Sequence, residues 1–200
     1  MILYGASGHA KVIIDILQKN NIEVSKIVDD APKNAKIFNI PIEKSTFSEK
    51  ENRHEKVIIS IGNNDARKKI SERHRFDYQT AIHPTAVISK FSKIGKGTVV
   101  MANAVVNPEA EIGEHCIINT GAIVEHECKI ANFAHISPNA SLAGNVEIGE
   151  GTHIGIGACV IQGVKIGKWA TIGAGAVIIR DIPDFATVVG NPGKVIKIKE

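Results

Sequence analysis

The sequence predicts a small parallel α/β domain over residues 1–81, followed by an all-β stack of coils over residues 82–200. Three observations carry this reading. An aliphatic residue recurs every six positions from Ile82 to Ile178 without a break. A second column, four residues later, is nearly all small. Ahead of both, a short apolar run, a glycine-containing turn and an amphipathic segment open the chain.

The first domain reads as strand, glycine turn, helix, strand, strand, helix, the order of a parallel α/β unit. Met1–Tyr4 is a short apolar strand that runs into Gly5-Ala6-Ser7-Gly8-His9-Ala10. Val12, Ile13, Ile16 and Leu17 then share one helical face. Ser25–Val28 is a second strand, ending in Asp29-Asp30. Residues 31–55 are polar, contain Pro32 and Pro41, and read as loop. Lys56–Ile61 is a third strand that closes in Gly62-Asn63-Asn64, and Asp65–His74 is a charged helix. Tyr78–Ile82 leads into the coils, which start at Pro84.

The coil domain rests on the period. Seventeen consecutive aliphatic positions at a chain-wide apolar fraction of 44% would arise by chance roughly once in a million, so the repeat is real. Six is not a multiple of 3.6, so the period is not helical. It suits a short strand plus a corner, repeated, with one large side chain inward per side and a small one near the bend. Each buried aliphatic contributes roughly 1.5–3 kcal/mol gross, so the column can form the main core of the protein. This pattern resembles the hexapeptide-repeat acyltransferases, whose repeats form a triangular left-handed parallel β-helix. The resemblance implies three hexads per coil, with residues 18 apart stacked. Cys116 and Cys128 fall in the small inward column, 12 apart, and are expected as buried free thiols on different sides of the prism.

Composition excludes several classes. A net charge of +3 is too small to argue for nucleic acid. No apolar stretch is long enough to span a bilayer. The opening residues lack the basic flank and apolar core of a signal peptide, so a cytoplasmic location is expected. The histidines at 115, 126, 135 and 153 lack the spacing of a convergent metal site, and no metal is expected.

Three turns fall at the carboxyl ends of the three strands: Ser7-Gly8-His9, Asp29-Asp30 and Gly62-Asn63-Asn64. That edge of an open α/β sheet is where ligands bind. Glycines before a helix let a phosphate approach the backbone and the helix N-terminus. The spacing is not that of a dinucleotide fingerprint, and so small a domain suits a mononucleotide or no nucleotide at all, the turn then being a plain tight turn. In the coils, His126 stands in Glu125-His126-Glu127, two residues past an inward position, and should face solvent. His135 and His153 are 18 apart and should stack, as a ligand wall or as a polar ladder.

The combination of Gly5-Ala6-Ser7-Gly8-His9, Asp29-Asp30, Ile61-Gly62-Asn63-Asn64, Val124-Glu125-His126-Glu127-Cys128, Phe133-Ala134-His135 and Leu142-Ala143-Gly144-Asn145-Val146 resembles the PglD/NeuD-type bacterial nucleotide-sugar acetyltransferases. Gly62 to Lys69 is most similar to members that N-acetylate a UDP-4-amino-dideoxy sugar in bacillosamine-type glycan synthesis. The resemblance implies a Rossmann-like first domain and direct transfer from acetyl-CoA, with CoA as donor and not as a resident cofactor. It makes His126 the general base and Glu127 the carboxylate that strengthens it. Ser7, Gly8, His9, Asp29, Asp30, Gly62 and Asn63 would bind the nucleotide sugar. His135, Gly144, Ile156, Ala174 within Gly173-Ala174-Gly175, and Lys194 would line the acetyl-CoA site. Lys194 ends Gly190-Asn191-Pro192-Gly193-Lys194, where the family usually has alanine at the position of Gly193. The family forms homotrimers with active sites between coil domains.

A neutral sugar amine can attack the thioester while a histidine takes its proton. Side chains of adjacent strand residues point to opposite sides, so Glu127 can serve His126 only if a corner intervenes. Three readings stand: an N-acetyltransferase on a nucleotide amino sugar; an O-acetyltransferase of sialic acid or another hydroxyl, or transfer of a different acyl group; and a non-catalytic coil scaffold.

Overall fold

The computed structural model describes residues 1–47 and 55–198. Within the first domain the elements are β1 (Ile2–Tyr4), α1 (Gly8–Lys19), β2 (Lys26–Asp29), β3 (Lys36–Ile37), β4 (Ile40–Lys44), β5 (Lys56–Ile59), α2 (Asn64–Arg73) and β6 (Asp77–Tyr78). They form one sheet in the order β3-β4-β2-β1-β5-β6, parallel except for the β3–β4 pair. Its strands end in the three turns singled out above, on one edge.

Local chemistry explains the helices. α2 starts at Asn63, whose side-chain oxygen accepts from the Ala66 N–H at 2.9 Å, an N-cap that satisfies a free helix donor. Asp65 in its first turn and Arg73 in its last suit the helix dipole. α1 buries Ala10, Ile13, Ile14, Ile16 and Leu17. Val12, placed on that face from its spacing, is 40% exposed, and Ile14 takes its place inward. The reason is a second covering layer: α1 packs both on its own sheet and on Ala81, Val99, Met101 and Ile117 of the coils, which widens and rotates its apolar face.

The expected loop over 31–55 holds a hairpin, β3–β4, whose tip residues Phe38 and Asn39 both have positive φ. That is the geometry a tight two-residue hairpin turn requires. Phe38 is a poor residue for it, so composition did not show the turn. The part of that loop over 48–54 lies outside the described residues. The third strand is also shorter than expected, ending at Ile59. The boundary drawn between 81 and 82 falls inside the first coil strand, Ala81–Ile82.

The coil domain is a left-handed β-helix of hexapeptide repeats. From Ala81–Ile82 to Val177–Ile178 every coil strand has two residues, and strands 18 apart pair in parallel, as in Ile112↔Ile130 and Ile130↔Ile148. Three faces result. The first runs from Ala81–Ile82 through Ile117–Ile118, His135–Ile136 and His153–Ile154 to Ala186–Val189 and the antiparallel Lys194–Ile198. The second runs from Val87–Ile88 to Val177–Ile178, and the third from Lys93–Ile94 to Lys165–Ile166. The inward aliphatic column and the small column form one continuous core. Cys116 and Cys128 are buried in it as free thiols, and Cys159 is exposed. No helix among the described residues is long and apolar enough to cross a membrane.

The first domain lies on the first face, at its N-terminal end. α1 covers that face, and α2 reaches the corner between the third and first faces. Asn64 Nδ2 donates to the Gly151 carbonyl at 3.0 Å, and Lys68 pairs with Glu150.

Ile130 is 3% exposed in the middle of the column. An aspartate there would bury an unpaired charge. Ile130→Asp is expected to abolish the cooperative thermal transition of the purified protein; a soluble variant that melts like the wild type would contradict the register.

Candidate active site

The acceptor turns are built to stay open. Gly5, at φ +114°, packs so tightly that a Cβ would meet Ile61 Cγ1 at 2.3 Å. Gly8 and Gly62 are the opposite case, with no atom within 4 Å of an added Cβ, so both border free space. Ser7 occupies the N-cap of α1 without capping it, and the first turn holds no acidic residue. Its free N–H groups are available to an anion. His9 lies beside them, with its Nε2 unbonded. Burial, helped by the Arg67 charge, pushes its imidazole down to about 4.

The other acceptor residues have tasks within the chain. Asp29 accepts from the Ala6 N–H at 2.8 Å and the Ala31 N–H at 2.9 Å, clipping the ends of β1 and β2 together. Asp30 accepts from the Tyr4 hydroxyl at 2.5 Å and from Arg73 Nη2 at 2.7 Å. Burial pushes its carboxyl up, but the Tyr4 and Arg73 bonds outweigh that and hold it below the usual range. Asn63 spends its side-chain oxygen on the α2 cap.

His135 stands on the first face and pairs in register with His153, their rings 4.7 Å apart. The ladder expected from the 18-residue spacing is present. His135 is pushed down to about 3, first by burial and then by His153, Arg67 and His9. Ile156 and Ala174 are exposed on the edge between the first and second faces, one coil apart. Lys194 starts the last strand and is exposed. Gly193 precedes it because an added Cβ would meet Ile178 Cδ1 at 2.7 Å, which accounts for the departure from alanine.

His126 and Glu127 form the corner between the second and third faces. Glu127 has φ 61°, so the chain turns between the two residues and both side chains reach the same side. His126 Nδ1 lies 3.0 Å from Glu127 Oε2. That contact holds the hydrogen on Nδ1 and leaves the Nε2 lone pair outward. Gly144, 18 residues on, lies directly against the ring: an added Cβ would meet His126 Cε1 at 2.5 Å and Nε2 at 2.6 Å. Gly144 is therefore the seat of the imidazole. It stands apart from His135, Ile156 and Ala174, with which it was grouped.

The candidate residues of one chain thus fall in two groups on opposite sides of the prism. The second–third corner is the vertex opposite the first face. Ser7, His9 and His135 share one side, and His126, Glu127 and Gly144 the other. An open groove of about 1190 Å³ runs along the third face but holds neither set. Its glycines serve coil stacking, since a Cβ on Gly95 would meet the Gly113 backbone at 2.5 Å.

Sequence reading placed Asn64 only in the Gly62-Asn63-Asn64 ligand turn, without its link to the coils, and missed Arg67 and Asn119. Asn64 and Arg67 are buried at i, i+3 on the inner face of α2; that spacing, shared with Ile70, was the available signal.

Comparison with known proteins places the chain. The PglD N-terminal domain model matches residues 1–74, and the bacterial transferase hexapeptide model matches 91–126 and 145–180. PerB from Caulobacter crescentus, solved in complex with CoA and GDP-perosamine, is 35% identical, covers 98% of this chain and 96% of its own, and superposes with a TM-score of 0.89. The chain belongs to the PglD-type sugar acetyltransferases. The acetyltransferase domain of PglB from Neisseria gonorrhoeae, in complex with acetyl coenzyme A, is 37% identical over 98% of both chains, with a TM-score of 0.88. UDP-N-acetylbacillosamine N-acetyltransferase of Bacillus subtilis is 39% identical over 107 residues, half of this chain and half of that protein.

Two outcomes follow. Gly144 does not need positive φ, so Gly144→Ala strains only the contact with His126. Its turnover should fall at least tenfold while its melting temperature stays within a few degrees; unchanged kcat would remove Gly144 as the seat. Separately, His9, His115 and His135 are uncharged in the fold, held at about 4, 4 and 3, against 6.5 in an unfolded chain. Below pH 6.5 the unfolded chain binds more protons, so stability falls as pH drops toward 4. Thermal midpoints measured from pH 7.5 to 4.5 should decline through that window, and a flat profile would contradict the burial of these rings.

Proposed function

We propose that the protein transfers the acetyl group of acetyl-CoA to the 4-amino group of a UDP-linked amino-dideoxy sugar, with His126 as general base. The observation that carries this reading is the His126–Glu127 contact at 3.0 Å, with Nε2 turned outward over Gly144.

Each step uses this chain's own groups. The amine nitrogen attacks the thioester carbonyl carbon as His126 Nε2 takes its proton. Glu127 balances the imidazolium that forms. The tetrahedral adduct collapses, the C–S bond breaks, and the CoA thiolate leaves and recovers the proton from His126. No covalent enzyme intermediate is needed. The open turns at Ser7-Gly8 and Gly62, with the α1 N-terminus, suit the nucleotide sugar. His135, Ile156, Ala174 and Lys194 lie along one edge and are assigned to acetyl-CoA.

The opposed half-sites require a second copy of the chain to bring His126 to the acceptor. The outer surface of the coils supports such an assembly. The second face exposes Val87, Ile161 and Ile179, whereas the third carries the ion pairs Lys93–Glu111 and Glu147–Lys165. A homotrimer packed through second faces, with a site at each junction, fits this division.

Uridine is preferred because the Bacillus subtilis relative is named for a UDP sugar and Gly62 to Lys69 resembles that group. The guanosine sugar bound by the Caulobacter relative makes GDP the specific alternative.

Thiol release should be measured with acetyl-CoA against UDP- and GDP-linked 4-amino sugars and sialic acid. Release with the UDP sugar is expected, and release with sialic acid alone would move the enzyme to O-acetylation. His126→Ala should keep its melting temperature, because the side chain is exposed, and lose about 10²–10⁴-fold in kcat. More than about a tenth of activity remaining would remove His126 as the base.

A further inference from the structure

Arg67 is 1% exposed, and no carboxylate faces it among the described residues. All five of its acceptors are neutral. Nε donates to the His115 carbonyl at 2.7 Å; Nη1 donates to the Ile61 and Gly62 carbonyls at 3.1 and 3.2 Å; Nη2 donates to Asn64 Oδ1 at 2.9 Å and to the Phe133 carbonyl at 2.8 Å. One planar fork therefore joins the acceptor loop after β5 to two successive coil corners. Burying a cation without a counter-charge is costly, and the five N–H bonds to neutral acceptors offset part of that cost. Arg67 therefore brings both a five-donor fork and an unpaired positive charge to this junction.

The groups around that charge are His9 from α1, His115 and Cys116 from the coil corner, and His135 and His153 from the first face. None is an anion: burial pushes the Cys116 thiol up to about 12. Burial lowers each of the four imidazoles, and Arg67 lowers each further. Asn119 adds a second restraint on His135. The Thr120 N–H donates to Asn119 Oδ1 at 2.8 Å, which turns the amide nitrogen toward His135 Nε2 at 3.0 Å. A neutral His135 accepts there and keeps its hydrogen on Nδ1, which has no partner among the described residues. A protonated ring would set N–H against N–H.

We propose that Arg67 is the positioning residue of this site: its guanidinium clamps the Ile61–Gly62 loop onto the coil corners and sets a fixed positive charge beside the buried His9–His135–His153 wall, where His135, held by Asn119, presents Nδ1–H as a neutral donor. The assignment rests on reading that wall as part of the acetyl-transfer site.

The test is histidine-ring NMR of the full-length protein from pH 8 to 4.5, with wild type, Arg67→Met and Arg67→Lys, and rings assigned by single His→Gln variants. In the wild type, His9 and His135 are expected to stay neutral through pH 5, and His153 to titrate below the usual imidazole range. In Arg67→Met their titration midpoints should rise by about one pH unit or more. Arg67→Lys should restore the wild-type titrations, while KM for the nucleotide sugar rises severalfold and KM for acetyl-CoA holds, because an ammonium cannot replace the fork. Wild-type rings titrating near pH 6.5 would overturn the proposal, as would a folded Arg67→Met protein with unmoved midpoints. If Arg67→Met does not fold, the wild-type and Arg67→Lys titrations decide. The titrations need no turnover, so this result stands apart from whether the acetyl-transfer reading survives.

Discussion

Everything in this molecule depends on the stacking of one coil on the next at a spacing of 18 residues. A two-residue strand has no stability of its own, and each one inside the stack is held by parallel neighbours above and below. Those backbone bonds form only where the inward aliphatic column keeps the coils in register, and the column stays dry only while the bonds hold. The corners inherit the rigidity. Asn103, His115, Glu127, Phe133, Asn139 and Asn145 all hold positive φ, a conformation that costs a non-glycine residue energy and that persists because the coils on either side fix it.

The His126–Glu127 contact is a by-product of that constraint. At Glu127 the left-handed turn does what a strand cannot, bringing adjacent side chains to one side so that a carboxylate meets an imidazole. The same stacking decides what lies beneath His126. Position 144 follows it by one coil, and only glycine leaves room for the ring. Precision comes from the repeat, and chemistry from the few corners that depart from it.

Docking of the first domain uses different physics. α1 buries an apolar face on the first coil face, a non-directional contact. α2 adds direction through Asn64 and Arg67, whose donors reach named carbonyls. The acceptor turns thereby stand next to His135, on the side of the prism away from His126. The apolar second face and the ion-paired third face then differ in what they can meet, which is the surface chemistry the proposed assembly uses.

The six-residue period, the small column, the strand–turn–helix opening and the outward His126 could be read from residues alone, because each depends on local spacing or on a pattern repeated many times. The 18-residue pairing of His135 with His153 followed once three hexads were assigned to a coil. The β3–β4 hairpin was hidden by a turn without glycine, and Ile14 was displaced from notice by an interface that α1 shares with the coils. Asn63 reads as a ligand residue until its bond to Ala66 shows it capping a helix. The sequence by itself determined the coil and its register, since a periodic core needs no distant partner to specify it. Only the tertiary structure decided that Arg67 is buried among carbonyls, that Gly144 seats His126, and that the two groups of candidate residues oppose one another. Each of these depends on contacts between residues far apart in the chain, and no spacing along a sequence encodes them.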